Sequence, residues 1–266
     1  MPEIYIPEKL NRFLEPKRFK IAIGGRGSGK SMSFANMCLM DAQTKNIKTL
    51  CFREYQNSID DSVHSLLKSE IERLDLQCFS VQKSAILIND EPMFKFKGLA
   101  RDPEAVKSAH GFQRFWVEEA QTISFDSLKA LTPTLREEGS EIWFSANPRS
   151  SVDAFSQRFI KPFEKQILRD GFYEDDDHMI ISINIEDNDM APEVLLKEMA
   201  GDKQRMSPAL FSHIWAGHFL DDVQDSIIPA EWFDAAIDSH KKLGFEASGA
   251  VIASHDPSDE GGDSKG

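Results

Sequence analysis

A short apolar run that breaks into glycines, then a lysine and a serine, then an apolar stretch with helical spacing leaves a chain few folds to choose from. Residues 18–44 hold such a passage, in which RFKIAIGG reads as a buried strand and Ser31 to Thr44 as a helix. Between them Gly24, Gly25, Arg26, Gly27, Ser28, Gly29, Lys30 and Ser31 fit G-x-x-x-x-G-K-[ST] in full. Glycines in such a turn let backbone N–H groups point inward around phosphate oxygens, and the start of the next helix adds positive dipole. Lys30 is then placed for the β and γ phosphates of a nucleotide, and the Ser31 hydroxyl for Mg2+.

The rest of the chain continues in the same alternation. KTLCFRE reads as a second strand and DDSVHSLLKSEIERLDL as an amphipathic helix. FSVQKSAILIND and PMFKFKG flank an Asn-Asp-Glu-Pro turn and predict a hairpin inserted beside the main sheet. RFWVEEA is a strand ending in two acids, SFDSLKALTPTLRE a capped helix, EIWFSANP a strand with a polar end, and HMIISINIEDN one more strand. This order predicts an α/β fold around a largely parallel sheet, with ligands at the carboxyl ends of its strands. The helical spacing of residues 191–220 predicts a small lid or linker. The expected division is a P-loop core over 1–177, a lid or linker over 178–225, and a linker with the start of a further domain over 226–266.

Two more strand ends bear on the chemistry. Glu118 is placed to hold the Mg2+ shell, with an arm longer than that of an aspartate, and Glu119 to orient and deprotonate an attacking water. Ser145, Ala146 and Asn147 end the next strand, where a polar triplet lies beside the γ phosphate and senses its presence; a capped turn is the ordinary alternative.

Composition narrows the partners. With 31 Lys+Arg against 44 Asp+Glu the net charge is −13, the wrong sign for a surface that grips nucleic acid throughout. Contact with nucleic acid has to come from a local patch, for which the basic stretches EPKRFK and KFKG and the pair Lys161 and Lys165 are candidates. Cys38, Cys51 and Cys78 are an odd count without CxxC spacing and read as reduced core residues. The start of the chain lacks the pattern of a secretory signal, and no apolar run reaches membrane-spanning length, so a cytosolic protein without a membrane partner is expected.

The segments GGRGSGKS, FWVEEA and FSANP, in this order, resemble the ATPase half of the large terminase subunit of tailed bacteriophages. CFREYQNSIDDSV, FKGLARDPEAVKSAHGF and LTPTLR agree with it too, so the resemblance covers most of residues 18–220. It implies a P-loop NTPase of the ASCE, RecA-like class that spends ATP, with Mg2+, to drive double-stranded viral DNA into a preformed capsid in the host cytoplasm. It also implies a ring on the portal protein and DNA delivered by a small terminase subunit. Carried onto this chain, it makes Lys30 and Ser31 the phosphate and metal residues, Glu118 the metal-side acid, Glu119 the catalytic base, and Ser145, Ala146 and Asn147 the coupling motif. Arg26 matches an arginine that answers the γ phosphate, and Arg18 with Phe19 would pack near the adenine. An arginine acting in trans is expected as well, with Arg101 as the candidate and Arg136 behind it.

GAVIASHDPSDEGGDSKG resembles the opening of the RNase H-like nuclease domain of such subunits, with Asp256 as first metal ligand and Asp263 as a weaker one. Two-metal cleavage needs carboxylates from several strands, so nuclease activity is not expected of this chain. Three other readings stay open: a helicase-like translocase, a nucleoside kinase and an ATP-holding scaffold. The kinase is disfavoured because residues 178–220 contain only Arg205.

Overall fold

The computed structural model describes residues 4–55, 63–100, 106, 110–221, 236 and 239–244. Chain contacts divide it into two units, Met1–Asp221 and Asp222–Gly266.

In the first unit β1 (Phe19–Ile23) enters the glycine turn and α1 (Lys30–Lys45) leaves it. Then come β2 (Thr49–Arg53), α2 (Val63–Arg73), β3 (Phe79–Val81), β4 (Ala85–Ile88), β5 (Glu91–Gly98) and β6 (Arg114–Glu118). A 3-10 turn, Ala120–Thr122, leads to α3 (Phe125–Leu131), capped by the Ser124 side chain, and to β7 (Glu141–Ala146). After α4 (Ala154–Phe159) and α5 (Glu164–Asp170) the chain forms β8 (Phe172–Glu174), β9 (His178–Ser182), α6 (Glu193–Arg205) and α7 (Pro208–Ala216). The second unit contains a short helix, α8 (Ser239–Leu243).

The nine strands among the described residues belong to one sheet in the order β3-β4-β5-β2-β6-β7-β1-β9-β8. From β5 across to β9 every pairing is parallel, so those six strands end on the same edge. Period-two alternation splits their side chains between two cores. Ala22, Trp116 and Trp143 face the helices α1 and α2 with Phe34, Leu39 and Leu67, while Ile21, Val117 and Phe144 face α3, α4 and α5 with Leu128, Phe155 and Ile167. Burial on both faces explains why these strands read as continuous apolar runs. Phe34 anchors α1, and hence the loop before it. Its ring centroid lies 4.9 Å from Trp143 and 5.9 Å from Trp116, and its truncation to alanine would cost about 3–5 kcal/mol.

Three expectations are corrected here. The hairpin is not beside the main sheet: β5 pairs in parallel with β2, so β3, β4 and β5 extend the sheet itself, around a turn in which Asn89 and Asp90 both take positive φ. The expected boundary at 177/178 falls inside the sheet, because His178–Ser182 is β9 and runs beside β1; the first unit continues to Asp221. Cys38 and Cys51 are buried thiols, but Cys78 is exposed. Among the described residues no helix is long and apolar enough to cross a membrane.

Candidate nucleotide site

The loop after β1 owes its path to two kinds of constraint. Gly24 has φ 143°, and a Cβ there would lie 1.8 Å from the Ile183 carbonyl oxygen, so only glycine lets the segment after β9 pack this closely. Gly29, at φ 78°, turns the chain into α1 as its N-cap. Part of the loop is fastened from outside: the Gly25 amide donates to Asn184 Oδ1 at 3.2 Å, the Arg26 amide to the Ile214 carbonyl at 2.9 Å, and Asn188 Nδ2 to the Gly27 carbonyl at 2.8 Å. The amides of Gly27, Ser28, Gly29, Lys30 and Ser31 have no acceptor among the described residues. Those spare donors sit at the amino end of α1, where the helix dipole also favours an anion.

Lys30 folds back over this loop. Its Nζ donates to the carbonyls of Gly24 (2.8 Å) and Gly25 (2.7 Å) and to Ser28 Oγ (2.8 Å), while Ser28 Oγ donates to the Gly25 carbonyl. These acceptors are neutral, and burial lowers the lysine pKa to about 8 although the nearby Glu118 charge works against the shift.

Glu118 lies at the end of β6, in register with Ser145 of β7. Ser31 Oγ donates to its Oε1 at 2.5 Å, Ser145 Oγ donates to its Oε2, and the buried Trp116 indole donates to Oε2 at 3.2 Å. Burial raises its pKa, opposed by the hydroxyl bonds and by Arg53 and Lys30. The next residue turns away. Glu119 adopts φ 55°, its side chain is 52% exposed, and its Oε1 takes a bond from Arg53 Nη2 at 2.6 Å.

Lys30, Ser31, Glu118, Glu119, Ser145, Ala146 and Asn147 line one cleft of about 400 Å3, together with Arg26 and the glycine loop from Gly25 onward. Arg26 is exposed at its rim. Mg2+ takes one or two protein oxygens and completes its octahedron with phosphate and water. Ser31 and Glu118, two hard oxygen donors in contact, fit that demand.

Arg18 does not join them. Its guanidinium donates to the carbonyls of Thr132, Leu135 and Ser140 and to Ser140 Oγ, at 2.7 to 3.1 Å, just before β1 and therefore at the opposite end of that strand from the glycine loop. Phe19 is at the same end, stacked on His178. Arg136 is exposed and donates to the Pro133 carbonyl at 3.0 Å. Arg101, Asp256 and Asp263 lie outside the described residues.

Several contributors escaped the sequence reading. Arg53 ends β2 and Gln121 follows the end of β6 by three residues, so both stand at carboxyl ends of parallel strands, where ligands bind. Asn184, Asn188 and Ile214 act across some 160 to 190 residues, and nothing local marks them.

The glycine loop after β1, the interposed β7, and the acids on β6 define the class: this is a P-loop NTPase of the RecA-like kind with an additional strand between loop and acids. More narrowly, the chain belongs to the phage terminase large subunit family, whose model matches residues 16–218. A curated relative, the PBSX phage terminase large subunit of Bacillus subtilis (strain 168), is 27% identical over 121 residues, which are 44% of this chain and 28% of that protein. The matched stretch thus spans well under half the length of that relative. A large terminase from a thermophilic bacteriophage, solved in complex with ADP, matches with a TM-score of 0.58 and 11% identity over 78% of this chain and 52% of that one. The large terminase ATPase domain of Thermus phage P74-26 matches with a TM-score of 0.53 and 14% identity over 80% and 92%. At these identities the structural likeness is one of fold.

Proposed function

We propose that the cleft binds ATP with Mg2+ and hydrolyses it, and that the chain is the ATPase part of a motor that drives double-stranded viral DNA into a preformed capsid. The observation that carries this reading is the convergence on one cleft of five spare loop amides, Lys30, the Ser31–Glu118 pair and Glu119, in a chain of the terminase family. The ADP complex of the thermophilic phage's terminase supports nucleotide binding by this fold.

In this reading the amides of Gly27 to Ser31 take phosphate oxygens, and Lys30 exchanges its three neutral acceptors for the β and γ phosphates. Mg2+, held by Ser31 and through Glu118, would neutralise phosphate charge. Glu119 exchanges Arg53 for the attacking water and takes its proton as phosphate departs. Arg26 answers the γ phosphate from the rim, and Ser145 to Asn147 relay its loss toward DNA movement. A ring of copies on a portal protein, fed by a small terminase subunit, is the assembly proposed, with Arg101 of a neighbour completing the charge stabilisation.

The test is phosphate release from ATP with Mg2+ by the purified chain beside Lys30→Ala, followed by packaging of double-stranded DNA by the full-length subunit with portal-bearing capsids. Turnover and packaging in the parent, both lost in the lysine variant, are expected. Turnover that survives Lys30→Ala would contradict the site.

A further inference from the structure

The turn that carries Glu119 and the strand end that carries Asn147 come from different elements, and one side chain ties them together. Gln121 follows Glu119 by two residues in the 3-10 turn Ala120–Thr122, which Thr122 closes by donating its amide (3.0 Å) and its hydroxyl (2.9 Å) to the Glu119 carbonyl. From the end of β7 the Asn147 amide donates to Gln121 Oε1 at 3.2 Å. That bond orients the carboxamide: a backbone N–H can only donate, so the oxygen faces Asn147 and the NH2 group faces elsewhere. No acceptor for that NH2 group is found among the described residues, and Gln121 lines the same cleft as Lys30 and Glu119. Asn147 Oδ1 is buried with no partner among the described residues. A buried oxygen left without a donor is costly, whereas the Gln121 NH2 group is not buried and stays free for a ligand of the cleft.

The open NH2 group is complementary to a terminal phosphate, whose oxygens accept the hydrogens that Gln121 offers. We propose that Gln121 is the positioning residue that reads the γ phosphate: its Nε2 donates to a γ oxygen, while its Oε1 keeps the Glu119 turn locked to the end of β7. Loss of the γ phosphate then reaches the catalytic turn and the strand end through one side chain. The inference rests on the ATP reading of the cleft and adds to it a residue that separates ATP from ADP.

Two variants divide the roles. Gln121→Glu keeps an acceptor for the Asn147 amide but removes the donated hydrogens, and Gln121→Leu removes both. Hydrogen exchange at the Asn147 amide of the nucleotide-free protein is measured first, then the affinity for a non-hydrolysable ATP analogue and for ADP, each with Mg2+. Exchange at Asn147 is expected at the parental rate in Gln121→Glu and at least tenfold faster in Gln121→Leu. The preference for the ATP analogue over ADP is expected to fall about tenfold in both variants, with ADP affinity kept. A preference unmoved in both variants, or ADP affinity that falls equally, overturns the inference while leaving the ATP reading intact. A parent that binds neither nucleotide overturns the ATP reading, and this inference with it.

Discussion

At the amino-terminal edge of the sheet Arg114 gives Nη2 to Asp41 at 2.6 Å and to Glu141 at 3.3 Å, and its guanidinium lies 3.8 Å from the ring centre of Trp143. Lys20 beside it meets Glu141 at 2.7 Å and the Phe13 carbonyl at 2.8 Å. At the carboxyl-terminal edge Lys30 meets two carbonyls and a hydroxyl, and Glu118 meets two hydroxyls and an indole. Both edges bury lysine and carboxylate, but only the first pairs each charge with an opposite one. Burial raises the Asp41 pKa, yet the Arg114 charge and the bonds from Arg114 and Lys45 outweigh it, and the net shift is downward. At Glu118 burial outweighs the hydroxyl bonds and the charges of Arg53 and Lys30, and its pKa rises. Buried charge closed by counter-charge serves the fold, whereas buried charge held only by neutral groups keeps its capacity for a charged ligand.

The largest effect that would break this comparison lies at the closed edge. Arg114→Ala removes the buried cation that Asp41 and Glu141 share, leaves them Lys45 and Lys20, and is expected to cost about 3 kcal/mol in denaturant unfolding, with ATP affinity of the folded fraction unchanged. Weakened ATP binding in that variant would mean that the two edges are not separate. Next is Lys30→Ala, which is expected to weaken ATP binding about a hundredfold in equilibrium titration, since a charge-assisted bond contributes about 1.5–3 kcal/mol. Its thermal stability should stay near the parent's, in contrast to Arg114→Ala.

Burial lowers the pKa of both Lys20 and Lys30, but of the two only Lys30 lines the candidate nucleotide cleft. Below about 8 Lys30 is charged and ready for phosphate; above it the neutral form dominates, and binding must first take up a proton. ATP affinity is therefore expected to fall as pH rises past 8, by up to about tenfold per unit, as read by calorimetry in buffers of different ionisation heat. Lys30→Arg should flatten that slope, and a slope that persists would assign the proton elsewhere. The smallest expected effect is that of Arg18→Met, which removes donors from three carbonyls and should cost about 1 kcal/mol of stability while leaving ATP and ADP affinity as they were.

The strand–loop–helix passage was legible because backbone demands there are local: Gly24 and Gly29 carry φ values that a side chain resists, and the lysine and serine follow at fixed spacing. The acids of β6 and the polar end of β7 were legible because each closes an apolar run, and the sheet then brings Glu118 into register with Ser145. Arg18 was misplaced because adjacency to β1 in sequence says nothing about which end of a strand faces the ligand. The short α4, α5 and β8 were missed because runs of three to seven residues hold too few periods to show a pattern. The grip of Asn184 and Asn188 on the glycine loop was invisible for another reason, since asparagines in loops are ordinary turn residues until a partner from far along the chain is known.

In the proposed function the carboxyl edge hydrolyses ATP with Glu119 as the base. Phosphate release in a single turnover, with ATP binding measured alongside, tests it most directly in the parent and in Glu119→Gln. Binding within a few-fold of the parent and release slowed at least a hundredfold is the predicted result. Release at the parental rate in Glu119→Gln would contradict the account and place the base elsewhere in the cleft.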